Sequence, residues 1–323
     1  MPSLGASYQQ SMLNHPYGYA LYEPESSTTL QPGFCGYLTE LGQWTPLLGT
    51  DQVPINLGDA SSLARNGLTP FAYFQRAPSD ERAWGPKMSG RMKQRKVDWN
   101  VGASLLPAGI PADIGALYKY STKDGFGAIL MTEGPVVKEF IYGTTPFRQW
   151  CKANSETILR QWPDVRDRGL IIVTSAYTTK HAMINAWSET EKEIAVGFRA
   201  GVIEIGEVAP STAWYTSNGD SGWVTSKANQ PNERKVVFFG GLYFKYRKLA
   251  AILPQSHAFS AVSVEKARFR DADPEAREFQ VREQASKEDP SDLLVTSEEL
   301  GEMVDFPGEE RGGDEEEEDD DDF

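Results

Sequence analysis

Segments in which apolar and polar side chains alternate mark the middle of this chain. Apolar residues occupy every second position from Ile110 to Tyr120 and from Ile194 to Val202. Because successive side chains of a β-strand point to opposite faces, both segments predict strands with one apolar face. The alternation from Val97 to Val101 predicts a further strand.

Turn residues and short apolar runs predict more strands on either side. The stretch "PGFCGYLTELGQWTPLL" predicts a β-hairpin of Phe34 to Leu38 and Trp44 to Leu48. The pair Asp124-Gly125 predicts a turn, after which "FGAILMTEG" returns beside the preceding strand. A Ser-Asn-Gly-Asp turn joins the two Trp-bearing arms of "STAWYTSNGDSGWVTSK".

A buried strand and one helix complete the pattern. The aliphatic run Leu170 to Val173 is typical of a strand buried on both faces, and "KVVFFGGLYFKYRKL" closes the ordered part. A helix is predicted from Thr145, which can cap it, to Trp162, because Pro163 stops it. Residues 51–90 are irregular and predict loops. The fold class predicted is α+β, a twisted and mainly antiparallel sheet with a few helices.

Charge divides the chain into two parts. The formal net charge is -14, yet residues 1–250 hold 25 Lys and Arg against 22 Asp and Glu, whereas residues 251–323 hold 7 against 24. The second part is too polar to bury a core of its own. We therefore expect a folded body over 1–250 and an acidic, largely disordered regulatory tail over 251–323.

No catalytic or metal-binding motif is visible. The three histidines lie in separate segments, and the two cysteines match no zinc or redox spacing, so reduced and buried thiols are expected. Cys151 with His181 is formally a nucleophile and base, but Cys151 falls on the apolar face of the predicted helix. The sequence also lacks an export signal and any apolar run long enough for a membrane helix. We expect no enzyme, no cofactor and no metal.

Five cations stand close together where the alternating strands begin. They are Lys87, Arg91, Lys93, Arg95 and Lys96. A solvated strand end is the ordinary interpretation of such a cluster. Nucleic acid is a poor partner, since the body carries little net charge and shows no known stacking pattern. Anionic lipid is the alternative, because basic residues near such a surface contribute about 1 kcal/mol each.

The order of these elements resembles the amino-terminal pore-forming domain of gasdermins, including the shorter fungal and bacterial relatives. The similarity covers roughly residues 30 to 250. It is carried by the hairpin in "LQPGFCGYLTELGQWTPLL", the basic stretch before the strands of 97–132, the run "ILRQWPDVRDRGLIIVTSAYTTKHAMINAW" and the late strand "RKVVFFGGLYFKYRKL". An amphipathic basic first helix and a large carboxy-terminal inhibitory domain, both found in the family, have no counterpart here.

The resemblance implies a cytoplasmic protein that moves to the membrane on activation and forms lytic pores. Residues 97–132 and 182–226 would be the inserting hairpins, and the five cations would contact anionic lipid. Both alternating segments have the length of about 9 to 11 residues that a membrane-spanning strand needs, and Asp113, Lys119 and Arg199 would face a wet lumen. Unpaired strand edges are excluded from lipid, so closure demands a homo-oligomer. An activating protease would displace the tail.

Two other interpretations remain open. The chain is alternatively a soluble β-rich binding module whose tail, "GDEEEEDDDDF", captures basic proteins such as histones. A hydrolase with an unrecognised site is the second rival.

Overall fold

The computed structural model describes residues 3–71, 75–97, 106–111, 114–122, 125–143, 145–188, 192–199, 203–204, 207–208, 214–217, 222–248, 257–261 and 298–300. Within these ranges the chain is mainly antiparallel β-structure with a few helices, which confirms the predicted fold class. The helices are α1 (Leu4–Ser11), α2 (Ala60–Arg65), α3 (Thr145–Gln161) and α4 (Val165–Arg168).

The strands are β1 (Tyr19–Ser26), β2 (Cys35–Leu38), β3 (Trp44–Pro46), β4 (Asp80–Arg82), β5 (Lys87–Met88), β6 (Met92–Val97), β7 (Ile114–Thr122), β8 (Gly127–Glu133), β9 (Val136–Phe140), β10 (Leu170–Thr179), β11 (His181–Trp187), β12 (Glu193–Arg199), β13 (Ile203–Glu204), β14 (Glu207–Val208), β15 (Trp214–Thr216), β16 (Trp223–Lys227), β17 (Lys235–Lys248), β18 (His257–Ala261) and β19 (Glu298–Leu300).

A central sheet is built on the long antiparallel pair β10 and β17. The main strand order is β1-β17-β10-β2-β3. Strand β9 also pairs with β10, and β4 pairs with β9. The run from Leu170 to Val173 is buried on both faces, as predicted. Leu170 and Ile172 pack in the core beneath α3, whereas Ile171 and Val173 pack in a separate core on the opposite face. The predicted hairpin is confirmed as β2 paired with β3.

Helix α3 covers one face of the central sheet, as its apolar stripe predicts. Its inward side chains include Phe147, Trp150, Cys151 and Ile158. Asn154 fastens the helix to the preceding loop, because its Nδ2 donates to the Thr69 Oγ1 at 2.7 Å and its Oδ1 accepts from the Thr69 N–H at 2.8 Å. Both cysteines are buried free thiols, as predicted. Burial raises the pKa of Cys151 far above that of an ordinary thiol, which argues against a nucleophile.

Two further four-stranded sheets accompany the central sheet. We call β16-β11-β8-β5 the inner sheet and β15-β12-β7-β6 the outer sheet. One face of the inner sheet packs against α1 and the central sheet through Leu130, Ile184 and Phe238. Its other face packs against the outer sheet through a core that includes Ile129, Met131, Trp187, Tyr120, Val196 and Phe198. The inner sheet is therefore covered on both sides.

The predicted pairing of β7 with β8 is wrong. Strand β7 pairs with β6 and β12, whereas β8 pairs with β5 and β11. The connection between them joins two stacked sheets, because the apolar face of β7 packs against Ile129 and Met131 of β8 and the two strands do not pair. The arms β15 and β16 are separated in the same way, one in each sheet.

Other boundaries also differ from the prediction. Residues 51–90 include α2, β4 and β5, although loops were expected. Asp59 caps α2, because its side chain accepts hydrogen bonds from the Ser61 and Ser62 N–H groups at 3.0 Å. An Asp directly before a helix is an N-cap signal that can be seen in the sequence. Strand β7 begins at Ile114 and not at Ile110, which instead packs beside it in a small core.

Several predictions lie outside the described residues. They concern the strand beyond Val97 with Trp99 and Val101, the lumenal Asp113, the turn at Asp124, the end of the second alternating segment at Val202, and all of the tail except 257–261 and 298–300. Those two tail segments form β18 and β19, which both pair with β17. The boundary between body and tail stays a prediction.

Candidate functional site

The inner and outer sheets have the same strand order, position by position. Along the chain β5 continues into β6, β7 into β8, β11 into β12 and β15 into β16, and each pair occupies equivalent places in the two sheets. Four chain segments therefore each cross from one sheet to the other. The two sheets are the halves of a single four-stranded antiparallel sheet that is folded over on itself.

The two central chain segments pair in the same register in both sheets. In the inner sheet Glu133 lies opposite His181 and Gly127 opposite Trp187. In the outer sheet Ser121 lies opposite Glu193, and the pairing continues in step as far as Ala116. The two connections, 122–126 and 188–192, thus span the same number of residues. Extending both connections would align the halves with no change of partners.

The interface between the two sheets contains buried polar atoms that are poorly satisfied. Within the described part of the chain, the Tyr120 hydroxyl and the indole nitrogens of Trp187 and Trp223 have no hydrogen-bond partner. A buried polar group left unpaired costs about 1–3 kcal/mol. Separation of the sheets would expose the indole nitrogens of Trp187 and Trp223 to hydrogen-bond partners, which lowers the cost of opening the fold.

The basic cluster lies at the edge of the folded-over sheet. Lys93, Arg95 and Lys96 are exposed on β6, the end strand of the outer sheet, and Arg91 is exposed in the turn before it. No salt bridge engages these four cations among the residues that the structure describes. Their charge is available to an anionic partner. Lys and Arg on an edge strand also oppose unwanted strand pairing.

Lys87 differs from the rest of the cluster. It is half-buried on β5, and its Nζ lies 5.1 Å from the ring centre of Trp84 and 5.5 Å from that of Tyr17. A cation in this position is held by the ring faces. The structure therefore places only four of the five predicted lipid-binding cations on an open surface, and Lys87 fastens β5 to the body.

The segment after α1 also holds β5. The Asn14 Nδ2 donates to the Met88 carbonyl at 3.1 Å, and the His15 Nε2 lies 2.9 Å from the same oxygen. Burial lowers the pKa of His15 and the nearby Lys87 lowers it further, while the hydrogen bond to Met88 opposes them. No sequence pattern connects His15 with the cluster, because His15 and Met88 are 73 positions apart.

Acidification should weaken this contact. Because the pKa of His15 is lowered on folding, its contribution to stability is complete above the ordinary value of 6.5 and is lost as the pH falls through the lowered value. We expect the melting temperature of the native protein to fall more steeply between about pH 7 and pH 5 than that of His15→Gln. Equal slopes in the two thermal-denaturation series would contradict this assignment.

Other kinds of site find no support in the described ranges. No helix there is long and apolar enough to cross a bilayer. No group of three or more His, Cys, Asp and Glu side chains in those ranges is placed to hold a metal ion. Cys151 lies in the core beneath α3, whereas His181 lies on the inner sheet in contact with Glu133. The pair is therefore not assembled into a nucleophile and base.

Comparison with known proteins gives a weak likeness. No protein family's profile matches the sequence, and no curated protein matches it. The chain is similar to a solved structure, "Cryo-EM structure of the Gasdermin A3 membrane pore", at 10% identity and a TM-score of 0.27, over 77% of this chain and 92% of that chain. This is a weak fold-level resemblance.

Proposed function

We propose that this chain forms membrane pores by straightening the folded-over sheet, whose halves are the inner and outer sheets. The observation that supports the proposal is the shared strand order of the inner and outer sheets, together with the continuous register of their two central strand pairs. Extending the two central connections would turn these pairs into two longer paired strands, and the edge segments β5–β6 and β15–β16 would change register to follow them. The cations at the edge of the sheet would first bring it to anionic lipid.

The outer sheet has the face that lipid requires. Tyr118, Tyr120, Val196 and Phe198 share one side of β7 and β12, where they now pack against the inner sheet. Contact with acyl chains would replace that packing. The opposite side carries the Lys119–Glu193 pair at 2.9 Å, which suits a wet lumen.

Straightening would extend this apolar face along the two central strands. Side chains alternate with a period of two, so the even-numbered residues of β7 and β8 would share one side of a continuous strand. Ala128 and Leu130 would join Tyr118 and Tyr120. Ala182 and Ile184 would likewise join Val196 and Phe198 on the neighbouring strand.

Closure of such a sheet requires further copies. Strands β6 and β15 end the outer sheet, and an unpaired strand edge in lipid leaves backbone groups unsatisfied. Pairing of β6 of one copy with β15 of the next would continue the sheet, and a ring would remove every edge. The active form is therefore a homo-oligomer in a membrane, and the chemistry is not enzymatic.

Adjacent reporter positions on β7 test the proposal. A lipid-sensitive dye would be attached to Tyr118→Cys and, in a matched variant, to Lys119→Cys, since both native cysteines are buried. On anionic liposomes we expect quenchers carried by the acyl chains to quench the dye at 118 strongly and the dye at 119 weakly. Dye release from the same liposomes should accompany the difference.

The outcome separates the proposal from its rival. Equal quenching at the two positions, or no leakage from protein that binds the liposomes, would contradict insertion of β7. Tail-dependent binding of histones by a protein that leaves liposomes sealed would favour the soluble binding module.

A further inference from the structure

Two cross-strand pairs lie side by side on the face of the inner sheet that meets the outer sheet. His181 lies opposite Glu133, and Met183 lies opposite Met131. Residues two apart on a strand share a face, so the four side chains form one compact group. Side chains directly opposite each other on paired strands have Cβ atoms about 4.5–5.5 Å apart.

The imidazole of His181 is held in one orientation. Its Nδ1 lies 2.6 Å from the Glu133 carboxylate, which favours the tautomer with the proton on Nδ1. Its Nε2 is buried and has no hydrogen-bond partner among the described residues. A histidine that donates one ring nitrogen to a carboxylate and presents the lone pair of the other is the usual arrangement of a metal ligand.

Trp214 of the outer sheet covers both the imidazole and a thioether. Its ring is stacked on that of His181, with centroids 5.8 Å apart and an interplanar angle of 25°. Its indole Nε1–H donates to the Met183 sulfur at 2.9 Å, which engages one of the two lone pairs of that sulfur. The imidazole and the thioether are therefore neighbours beneath one indole, at the edge of an apolar core that also contains Met131.

We propose that this group is a binding site for a soft monovalent cation, Cu(I). The His181 Nε2 and the sulfurs of Met183 and Met131 are the ligands, and Glu133 fixes the imidazole from behind. Thioether and imidazole ligands select Cu(I), whereas Ca²⁺ and Mg²⁺ require oxygen. The absence of clustered His, Cys, Asp and Glu in the described ranges does not bear on thioether sulfur.

The proposal stands independently of pore formation, since it concerns the folded-over state alone. Its test uses the full chain and Ag(I), a redox-stable stand-in for Cu(I), in chloride-free buffer. We expect saturable binding of about one equivalent, followed by calorimetry, with quenching of tryptophan emission because the site contains Trp214. The double variant Met131→Leu/Met183→Leu should lose at least about tenfold in affinity, because leucine fills the space without a ligand atom.

Two controls make the result decisive. Met12→Leu alters a methionine buried in a different core and should bind Ag(I) like the native protein. Glu133→Gln removes only the half-exposed carboxylate and should weaken binding about 10- to 100-fold in a chain that still folds. Native protein that does not bind Ag(I), or undiminished binding by both the double variant and Glu133→Gln, would overturn the site and direct attention to Cys35 and Cys151.

Discussion

Reversing Arg91, Lys93, Arg95 and Lys96 to glutamate is expected to abolish binding to anionic vesicles and to leave the fold intact. All four side chains are exposed at the edge of the outer sheet, so their replacement disturbs no core packing. Each cation contributes about 1 kcal/mol at an anionic surface. Their combined loss is about 4 kcal/mol, roughly a thousandfold in affinity, before repulsion by the new carboxylates is counted.

A matched variant separates this local effect from net charge. Reversing Lys152, Arg160, Arg166 and Lys245 makes the same change in net charge at exposed positions on the helices and the central sheet. We expect this control to bind vesicles only slightly more weakly than the native protein. Vesicle co-sedimentation checks both variants, and raising salt should partly reproduce the first, since the Debye length is about 8 Å at physiological ionic strength.

The role of Lys87 is checked in the same assay. Because its ammonium already lies over Trp84 and Tyr17, Lys87→Gln should leave vesicle binding nearly unchanged while lowering thermal stability. If the quadruple variant folds and binds vesicles as tightly as the native protein, the basic cluster has no part in membrane contact.

Local patterns predicted the elements of this fold better than their partners. The run at Leu170 to Val173 and the apolar stripe of α3 depend on burial, which a short stretch of sequence records directly. The hairpin of β2 and β3 needs only a short turn. Partner choice in the folded-over sheet depends on contacts between distant segments, such as His181 with Glu133 at a separation of 48 positions. Alternation alone carries no information on these contacts.

The candidate site shows the same division. The sequence places the cations together because they are neighbours in the chain, and four of them share an open edge. It does not reveal that Lys87 is held by Tyr17 and Trp84, because aromatic contacts come from separate elements. Nor does it reveal the common register of the central strand pairs in the two sheets, which depends on the equal lengths of two distant connections.

Removal of residues 291–323 is expected to turn an inert chain into one that releases dye from anionic liposomes. The segment includes β19, whose backbone pairs with Gly241, Leu242 and Tyr243 of β17. Strand β1 pairs with β17 before this point and β18 pairs with it beyond. Together the three strands line one edge of β17, and the truncation would leave a gap in the middle of it.

An uncovered strand edge is a template for pairing with another chain. Loss of β19 would therefore favour association of copies as well as release of the tail. The acidic run from Asp314 to Asp322 adds an electrostatic restraint if it lies near the basic cluster. Its tether gives it an effective concentration in the millimolar range, but exposed ion pairs are worth only about 0–1 kcal/mol each. Charge alone is then a weak inhibitor, and the strand supplies the larger part.

The two contributions are separable by graded variants. Deletion of 314–323 should cause partial leakage, mainly at low salt, whereas deletion of 291–323 should cause full leakage at any salt. Replacing the acids of 314–322 by their amides keeps the length of the tail and should match the shorter deletion, because only charge is lost. If both truncated chains stay monomeric and leave the liposomes as well sealed as the full chain does, the tail does not inhibit, and capture of basic proteins becomes the better account of its charge.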